Sequence, residues 1–287
     1  MPAGSAALAI AAPPAPPPEP PPPPKPAPVE PVAAAPAPAP ASPPAAVAPP
    51  APGTSGLTVA APGAPLARDS NLPPRRYAIP GSVRLKFNAT GSSKRLDYQA
   101  LGELAWLHDG KTYEARLSMT AWPMSRSITS TGRLSGDGLL PERFSDRFRS
   151  ELAAHFDRDR ARVVFSANTP EAALLPGAQD QLSVFVQLAA MMAGDPTAYP
   201  VGTSFSVQTV GPRAAEPWVF VFEGEETLSL PGGHQPARKL VRPPRRDYDQ
   251  KVEIWLAPAL SWLPARIRIT QPNGDFIDQQ WRSTSTP

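Results

Sequence analysis

The stretch QDQLSVFVQLAAMMAG, residues 179–194, interrupts a chain whose other folded segments alternate between apolar and polar side chains. Apolar side chains recur in it at the spacing i, i+3, i+4, i+7 and i+10, which is the period of a helix. They are Leu182, Phe185, Val186, Ala189 and Met192. We therefore expect one amphipathic helix over residues 180–193.

Both ends of this helix carry ordinary boundary signals. Gln179 or Asp180 can cap the first turn by accepting hydrogen bonds from its free backbone N–H groups. Gly194 has the position of a C′ glycine, and Pro196 cannot continue the helix. An acid at the head of an apolar helix can also be a functional group in a cleft, but capping accounts for Asp180 fully.

On both sides of the helix the pattern is that of β-strands. Val83, Leu85 and Phe87 alternate with polar side chains, which is typical of a half-buried strand. Segments of this kind recur between residues 101 and 282, and Asp109-Gly110 and Asn273-Gly274 supply hairpin turns between them. The sequence predicts about eleven or twelve strands.

The strands do not alternate with helices, so a parallel sheet is excluded and an antiparallel arrangement is the economical one. A single long helix with an apolar face has to be covered. We therefore predict a mainly β fold in which a curved antiparallel sheet, resembling a half-barrel, wraps the one helix. The alternative is a closed β-barrel with the helix as its plug.

The N-terminal part of the chain has a different composition. The whole chain has 43 prolines, and most of them lie within residues 1–80. Only Glu19, Lys25 and Glu30 are charged in residues 1–66. Proline fixes φ and removes backbone donors, so such a segment favours extended polyproline II or disorder. We predict a spacer over residues 1–76 and a β-rich globular domain over residues 77–287.

The N-terminal spacer gives an indication of where the protein is located in the cell. Ala6 to Ala12 is too short for an export signal, has no preceding Lys or Arg, and runs into Pro13, so no signal is visible. The Ala/Pro arm nevertheless resembles the periplasmic spacer of TonB-like proteins, in which a membrane helix precedes the prolines. We expect an anchor upstream of Met1, a periplasmic domain tethered to the inner membrane, and contact with the membrane only through that anchor.

Composition excludes several kinds of chemistry. With 28 Lys and Arg against 25 Asp and Glu, the net charge of +3 gives no electrostatic footprint for nucleic acid. The absence of cysteine excludes disulfides, thiolate catalysis and Cys-based metal sites. His108, His155 and His234 stand far apart, and neither a metal-binding pattern nor a nucleotide or nucleophile motif is present. We expect no cofactor and no enzymatic activity, with a hydrolase using His155 as a remote alternative.

Several segments of the globular part carry a resemblance. They are GLLPERF (residues 138–144), QDQLS (179–183), IWLA (254–257) and LPARI (263–267). They resemble an uncharacterised proteobacterial family known only as a domain of unknown function, and the likeness spans about residues 77–283. It implies an envelope protein of β-rich fold, often with a proline-rich N-terminal region. A looser similarity, to the half-barrels that carry lipoproteins across the periplasm, concerns only the plan of strands and helix.

A curved sheet over such a helix can leave a groove for an acyl chain, and this gives the candidate ligand-binding residues. They are Phe185, Met192, Trp255 and Trp262. Aromatic residues on strands are otherwise core residues. The function expected is the binding of a lipid or a lipoprotein acyl chain, or a part in envelope biogenesis. The alternative is an adaptor that docks another envelope protein through a sheet edge or loops.

Two basic, proline-containing corners offer a further surface. Arg242-Pro-Pro-Arg-Arg246 repeats the sequence pattern of Leu72-Pro-Pro-Arg-Arg76. Such corners could touch anionic lipid or peptidoglycan, although ordinary surface loops are the better explanation.

Overall fold

The computed structural model describes residues 55–66 and 76–287. Predictions for residues 1–54 and 67–75, which include most of the spacer and most of the first basic corner, lie outside the described residues. The described part contains a single sheet, one α-helix and one short 3₁₀ turn.

The elements follow one another along the chain with these bounds. The strands are β1 (Leu57–Ala60), β2 (Val83–Ser93), β3 (Leu96–His108), β4 (Thr112–Ala121), β5 (Met124–Ser135), β6 (Gly138–Arg147), β7 (Glu151–Asp157), β8 (Arg162–Phe165), β9 (Ala172–Ala173), β10 (Gln179–Asp180), β11 (Ser204–Val210), β12 (Ala215–Leu230), β13 (Gly233–Arg242), β14 (Lys251–Leu256), β15 (Pro264–Thr270) and β16 (Phe276–Ser285). The helix is α1 (Ser183–Gly194), and the 3₁₀ turn is Pro258–Leu260.

Two antiparallel meanders form the sheet. Strands β2 to β9 and strands β11 to β16 each pair in sequence order, and β16 joins the two meanders by pairing with β2. Strand β1 pairs with β11 at one end of the sheet, and β10 adds a short parallel pairing with β11. The predicted class, a large antiparallel sheet with one helix, is therefore confirmed.

The sheet is not closed by strand pairing, but polar contacts connect residues near its two ends. The Gln208 side chain on β11 donates to the Ala173 carbonyl and accepts from the Leu175 N–H, both at 2.8 Å. The Gly56 N–H donates to the Pro176 carbonyl at 2.7 Å. The half-barrel prediction is thus closer to the structure than the closed-barrel alternative.

The sheet covers α1 together with the segment before β2, where the Ala78 N–H donates to the Ala190 carbonyl at 2.9 Å. Every residue from Ser183 to Met192 is buried, so the helix has no solvated face. The prediction of an amphipathic helix was wrong on this point, because only Ser183 and Gln187 are polar within these residues and a helix apolar all round belongs in an interior. The helix also starts three residues later than predicted, since Gln179 and Asp180 are held in β10.

The strand count differs from the prediction as well. Sixteen strands are present among the described residues, and the additional ones are short. One of them, β1, lies within the range assigned to the spacer. Its residues Leu57, Val59 and Ala60 are buried and pair with β11, so this part of the predicted spacer belongs to the folded domain.

Candidate functional site

The interior of the sheet is the candidate site, and polar side chains contact α1 at three levels within it. At the N-terminal end, the Asp180 carboxylate accepts hydrogen bonds from the backbone N–H groups of Leu182 at 2.9 Å and Ser183 at 2.7 Å. The Ser130 hydroxyl donates to its second oxygen at 2.5 Å, and the Tyr113 hydroxyl lies 3.0 Å from Ser130. The sequence predicted Asp180 or Gln179 as the cap, but the N-cap residue is Leu182, which makes no side-chain cap hydrogen bond, and Asp180 binds the first N–H groups from within β10.

Burial determines the electrostatics of this N-terminal polar cluster, which consists of Tyr113, Ser130, Asp180 and Ser183. Desolvation raises the pKa of Asp180 from 3.8 to about 6, although its hydrogen bonds act in the opposite direction. Burial, together with the Asp180 charge, raises the pKa of Tyr113 well above its ordinary value. Ser130, Asp180 and Ser183 are fully buried, and Tyr113 is 4% exposed and lines a surface cleft.

At its middle, α1 contacts the turn between β5 and β6. The Gln187 side chain accepts from the Leu139 N–H at 2.8 Å and donates to the Asp137 carbonyl at 3.2 Å. Gly138 makes this approach possible, because its φ is +93° and a Cβ there would lie 2.3 Å from the Gln187 oxygen. The Gln179 amide donates to the Leu139 carbonyl at 2.9 Å.

At the C-terminal end of α1, the Arg238 side chain from β13 lies over the last turn. Its Nη1 donates to the Pro196 carbonyl at 2.5 Å and lies 3.7 Å from the Met192 sulfur. The guanidinium also stands 5.2 Å from the Phe222 ring and 5.1 Å from the Trp262 ring. A cation at this end is favourable because the helix dipole is negative there.

The Arg238 cluster, made of Arg238, Met192, Phe222 and Trp262, is partly open to solvent. The Arg238 side chain is 14% exposed, and Trp262 is half-buried. Ser261 and Trp262 both adopt left-handed backbone conformations, with φ of 54° and 65°. Two successive non-glycine residues in this region are energetically unfavourable, and such strain is concentrated at functional sites.

The predicted ligand-binding residues are thus distributed over two faces of the sheet. Phe185 and Met192 are buried in the interior, and Trp262 meets Met192 through Arg238. Trp255 is separate, because the alternation along β14 places it on the outer face with Glu253. There it is 4% exposed, since Lys239 and Arg266 cover its ring at 5.5 and 4.6 Å.

The second basic corner is largely neutralised. Arg242 is 2% exposed, forms a bidentate ion pair with Asp249 at 2.8 and 2.7 Å, and stacks on Trp218 at 4.6 Å. Arg245 pairs with Asp249 and with Glu216. These arginines hold the pKa of the Asp249 carboxyl well below its usual value. The positive charge of these arginines is neutralised by neighbouring carboxylates, which agrees with a structural role for this corner.

Among the clefts on the described part are two that have polar linings. One of about 190 Å³ is lined by polar residues of the Arg242 corner, including Gln181 and Glu216. The other, of about 600 Å³, lies beside His108, Asp109 and Glu114 and is also partly polar. Within residues 55–66 and 76–287, no group of three or more His, Asp or Glu side chains is arranged to hold a metal ion. The apolar interior itself is occupied by α1.

Comparison with known proteins identifies the family. The sequence profile of DUF3108, described as a protein of unknown function, matches residues 104–279, which is more than half of the chain. The chain belongs to the DUF3108 family. The expectation of a domain of unknown function is therefore confirmed, and the matched range runs from β3 to β16 with the helix inside it. No curated protein matches the DUF3108 chain in sequence.

The chain also matches solved structures. The β-barrel-like protein of the DUF1849 family from Brucella abortus has a TM-score of 0.50 at 7% identity, with 72% of this chain and 98% of that chain covered. A domain from Vibrio parahaemolyticus, provisionally described as an outer membrane lipoprotein-sorting protein, has a TM-score of 0.26 at 9% identity, covering 71% and 85%. A DUF1329 family protein from Desulfovibrio piger has a TM-score of 0.21 at 9% identity, covering 72% and 86%.

The first of these structures supports a β-barrel-like fold for the DUF3108 chain and nothing beyond the fold.

Over the described ranges, α1 and the 3₁₀ turn are both too short to qualify as a membrane-crossing helix.

Proposed function

We propose that this DUF3108 protein is a non-enzymatic component of the cell envelope that binds a hydrophobic ligand, such as a lipid or the acyl chain of a lipoprotein. One observation carries the proposal. The curved sheet builds an apolar interior, and a single helix, buried from Ser183 to Met192, occupies it. The sheet thus encloses an apolar interior that a helix of the same chain fills.

The dimensions of α1 suit exchange with an elongated apolar ligand. A helix of 12 residues is about 18 Å long and about 10 Å wide with its side chains. Its displacement would expose a tunnel of that size, lined by the inward-facing residues of the sheet. The two-residue strand β10 leads into α1 and an irregular segment leads out of it, so α1 can move with the loss of the short β10 pairing and without breaking the pairing of the long strands.

The Arg238 cluster is the proposed entrance. Met192 offers a soft, adaptable apolar surface, Trp262 and Phe222 offer aromatic faces, and Arg238 offers a cation for an anionic head group. Arg238 now forms an ion pair with Glu225 at 2.8 Å and donates to the Pro196 carbonyl beyond α1, so a ligand head group would have to compete with both partners. Phe185 would meet the ligand deeper in the interior. Trp255, on the outer face, is outside this proposal.

The experiment is a binding measurement with the full chain. Native mass spectrometry and lipid analysis of an organic extract test for a copurified acyl compound, and a fluorescent fatty acid is then titrated into the delipidated protein. We expect Trp262→Ala to weaken binding at least about tenfold, because it removes an aromatic wall of the entrance. Trp255→Phe is the matched control on the outer face and should bind as the parent does.

Equal affinities for the Trp262 and Trp255 variants would overturn the proposed entrance. A protein that is free of lipid and does not bind the fatty acid would overturn the ligand-binding function itself. The adaptor function would then be preferred. The structure favours loops over a sheet edge for such docking, because the edge strand β1 is short and buried.

The envelope location belongs to the same proposal. It is supported by the proline-rich composition of residues 1–54 and by the resemblance of that composition to periplasmic spacers. We propose a periplasmic domain tethered to the inner membrane, in which the spacer lets the domain search near its anchor at high effective concentration. Fractionation of cells that express the full-length gene product, with its natural start, tests this location.

A further inference from the structure

Large exposed apolar side chains are concentrated on three consecutive hairpins of the sheet. Five of the eight in the described part lie there: Leu96 (74% exposed), Leu101 (56%), Trp122 (91%), Met124 (54%) and Phe148 (50%). A folded domain scatters such residues singly over its surface, and a concentration of them marks an interaction site.

The strand pairing places these residues at one end of the sheet. The hairpins are β2–β3, β4–β5 and β6–β7, and each pairs with the next through β3–β4 and β5–β6. Their turns therefore follow one another at intervals of two strands. We call residues 94–96, 121–124 and 147–150 the hairpin tips. The register staggers them along the strand direction, because Thr120 beside the second tip pairs with Leu101, which lies six residues after Arg95 of the first tip. Leu101 lies on the outer face opposite Thr120, beside the second tip.

Ion pairs connect the strands at the base of the second and third tips. Arg126 beside the second tip forms a bidentate ion pair with Asp146 beside the third, at 2.9 and 2.5 Å. A second ion pair joins Arg143 on β6 to Glu151 on β7. The exposed apolar residues are thus presented on an ordered support.

The tips are also basic. They carry Lys94, Arg95, Arg147 and Arg149, all exposed, and none of these is in a salt bridge with another described residue. The Arg149 guanidinium lies over the Phe148 ring at 5.7 Å. The nearby carboxylates outside salt bridges are those of Asp97 and Asp275, so positive charge is in excess.

We propose that the hairpin tips dock on the surface of a bilayer that contains anionic phospholipids. Tryptophan and other amphipathic side chains prefer the boundary between head groups and acyl chains, and each basic residue near an anionic surface contributes roughly 1 kcal/mol. The proposal is independent of ligand binding in the interior. It concerns the opposite end of the sheet from the loop that contains Trp262.

The form of the surface favours a bilayer over a protein partner. The apolar side chains sit on separate turns that project from the end of the sheet, with cations between them. Such turns can each enter a head-group layer, whereas a protein interface of stable size needs a continuous, closely fitting area. The excess positive charge of the hairpin tips complements the negative charge of anionic lipid head groups.

Flotation of the full chain with phosphatidylcholine vesicles that contain increasing phosphatidylglycerol tests the proposal. We expect binding that grows with the anionic lipid and weakens with salt. Trp122→Ala should lower the partition coefficient about tenfold, whereas Val201→Ala, at an exposed apolar site on the opposite end, should not change it.

A charge pair gives a matched control. Arg149→Glu and Lys111→Glu change the net charge equally, but Lys111 lies in the turn between β3 and β4 at the opposite end. We expect Arg149→Glu to weaken binding at least about fivefold and Lys111→Glu to leave it nearly unchanged. Equal effects of the two variants would show that net charge alone attracts the protein, and would overturn the assignment to the tips.

The absence of cysteine permits a direct test of insertion. An environment-sensitive fluorophore on Ser125→Cys, beside the second tip, should shift to the blue with anionic vesicles, and the same fluorophore on Gly136→Cys at the opposite end should not. No shift at residue 125, or no flotation at any lipid composition, would overturn the proposal and would assign the tips to a protein partner.

Discussion

Asp180 places a carboxylate in the apolar interior at the start of α1, and its protonation should affect stability. Its pKa is about 6 in the folded chain and 3.8 ordinarily, so the folded state holds the proton more tightly than the unfolded state. The stabilising contribution is therefore complete below about pH 3.8 and is lost as the pH rises through 6. The difference corresponds to roughly 3 kcal/mol.

The substitution Asp180→Asn keeps an oxygen for the two backbone N–H groups and removes the charge. We expect its free energy of unfolding, relative to the parent, to rise by up to about 3 kcal/mol between pH 4 and pH 7. Denaturant unfolding of both proteins at these two pH values measures this. A difference that does not depend on pH would contradict the raised pKa.

The pKa of Asp249 is shifted in the opposite direction from that of Asp180. It is lowered, and the partner of Asp249, Arg242, is buried. Asp249→Ala leaves that guanidinium without its carboxylate, and we expect a loss of about 3 kcal/mol at pH 7. The same denaturation experiment measures it. Because the carboxylate stabilises the fold only when ionised, the loss should shrink as the pH falls toward and below the ordinary Asp value of 3.8. A loss that stays constant to pH 3 would show that packing, and not charge, is involved.

Between elements, the contact of the β5–β6 turn with α1 depends on one glycine. A Cβ at Gly138 would meet the Gln187 side chain at 2.3 Å, and its φ of +93° is strained for other residues. We expect Gly138→Ala to lower the free energy of unfolding by about 1–3 kcal/mol. Gly136→Ala in the same turn is the control, since Gly136 faces open space. Equal melting temperatures for the two variants would contradict a close turn–helix contact.

The elements differ in how far the sequence could predict them. Alternation predicted the long strands, and Asp109-Gly110 predicted a turn in which Gly110 has a φ of +86°. Helical spacing predicted α1 but suggested a single apolar face, although its composition already indicated burial all round. Trp255 was grouped with the helix residues because composition does not show which face of a strand lies inward. Its position after the alternating residues Lys251 and Glu253 could have shown this.

The polar contacts of the site were beyond prediction for a different reason. Ser130 and Asp180 are 50 residues apart, and Arg238 and Met192 are 46 apart. Each of these side chains looks ordinary in its own segment, and only the pairing of distant strands brings them together. The same holds for the hairpin tips, whose turn sequences are separated along the chain and become neighbours through register.

For the whole molecule, the structure moves the start of the folded domain to β1. The side chains of Leu57 and Val59 are 2% and 4% exposed, and β1 covers the edge of β11. We expect a chain that begins at residue 77 to be less stable than one that begins at residue 55 by at least about 3 kcal/mol, because it loses this burial and exposes a strand edge. Thermal and denaturant unfolding compare the two, with the full chain as reference. The chain from residue 55 should unfold like the full chain, because nothing in the composition of residues 1–54 can form a core. If the two shortened chains unfold alike, β1 is dispensable and the domain begins at residue 77, as the sequence pattern alone predicted.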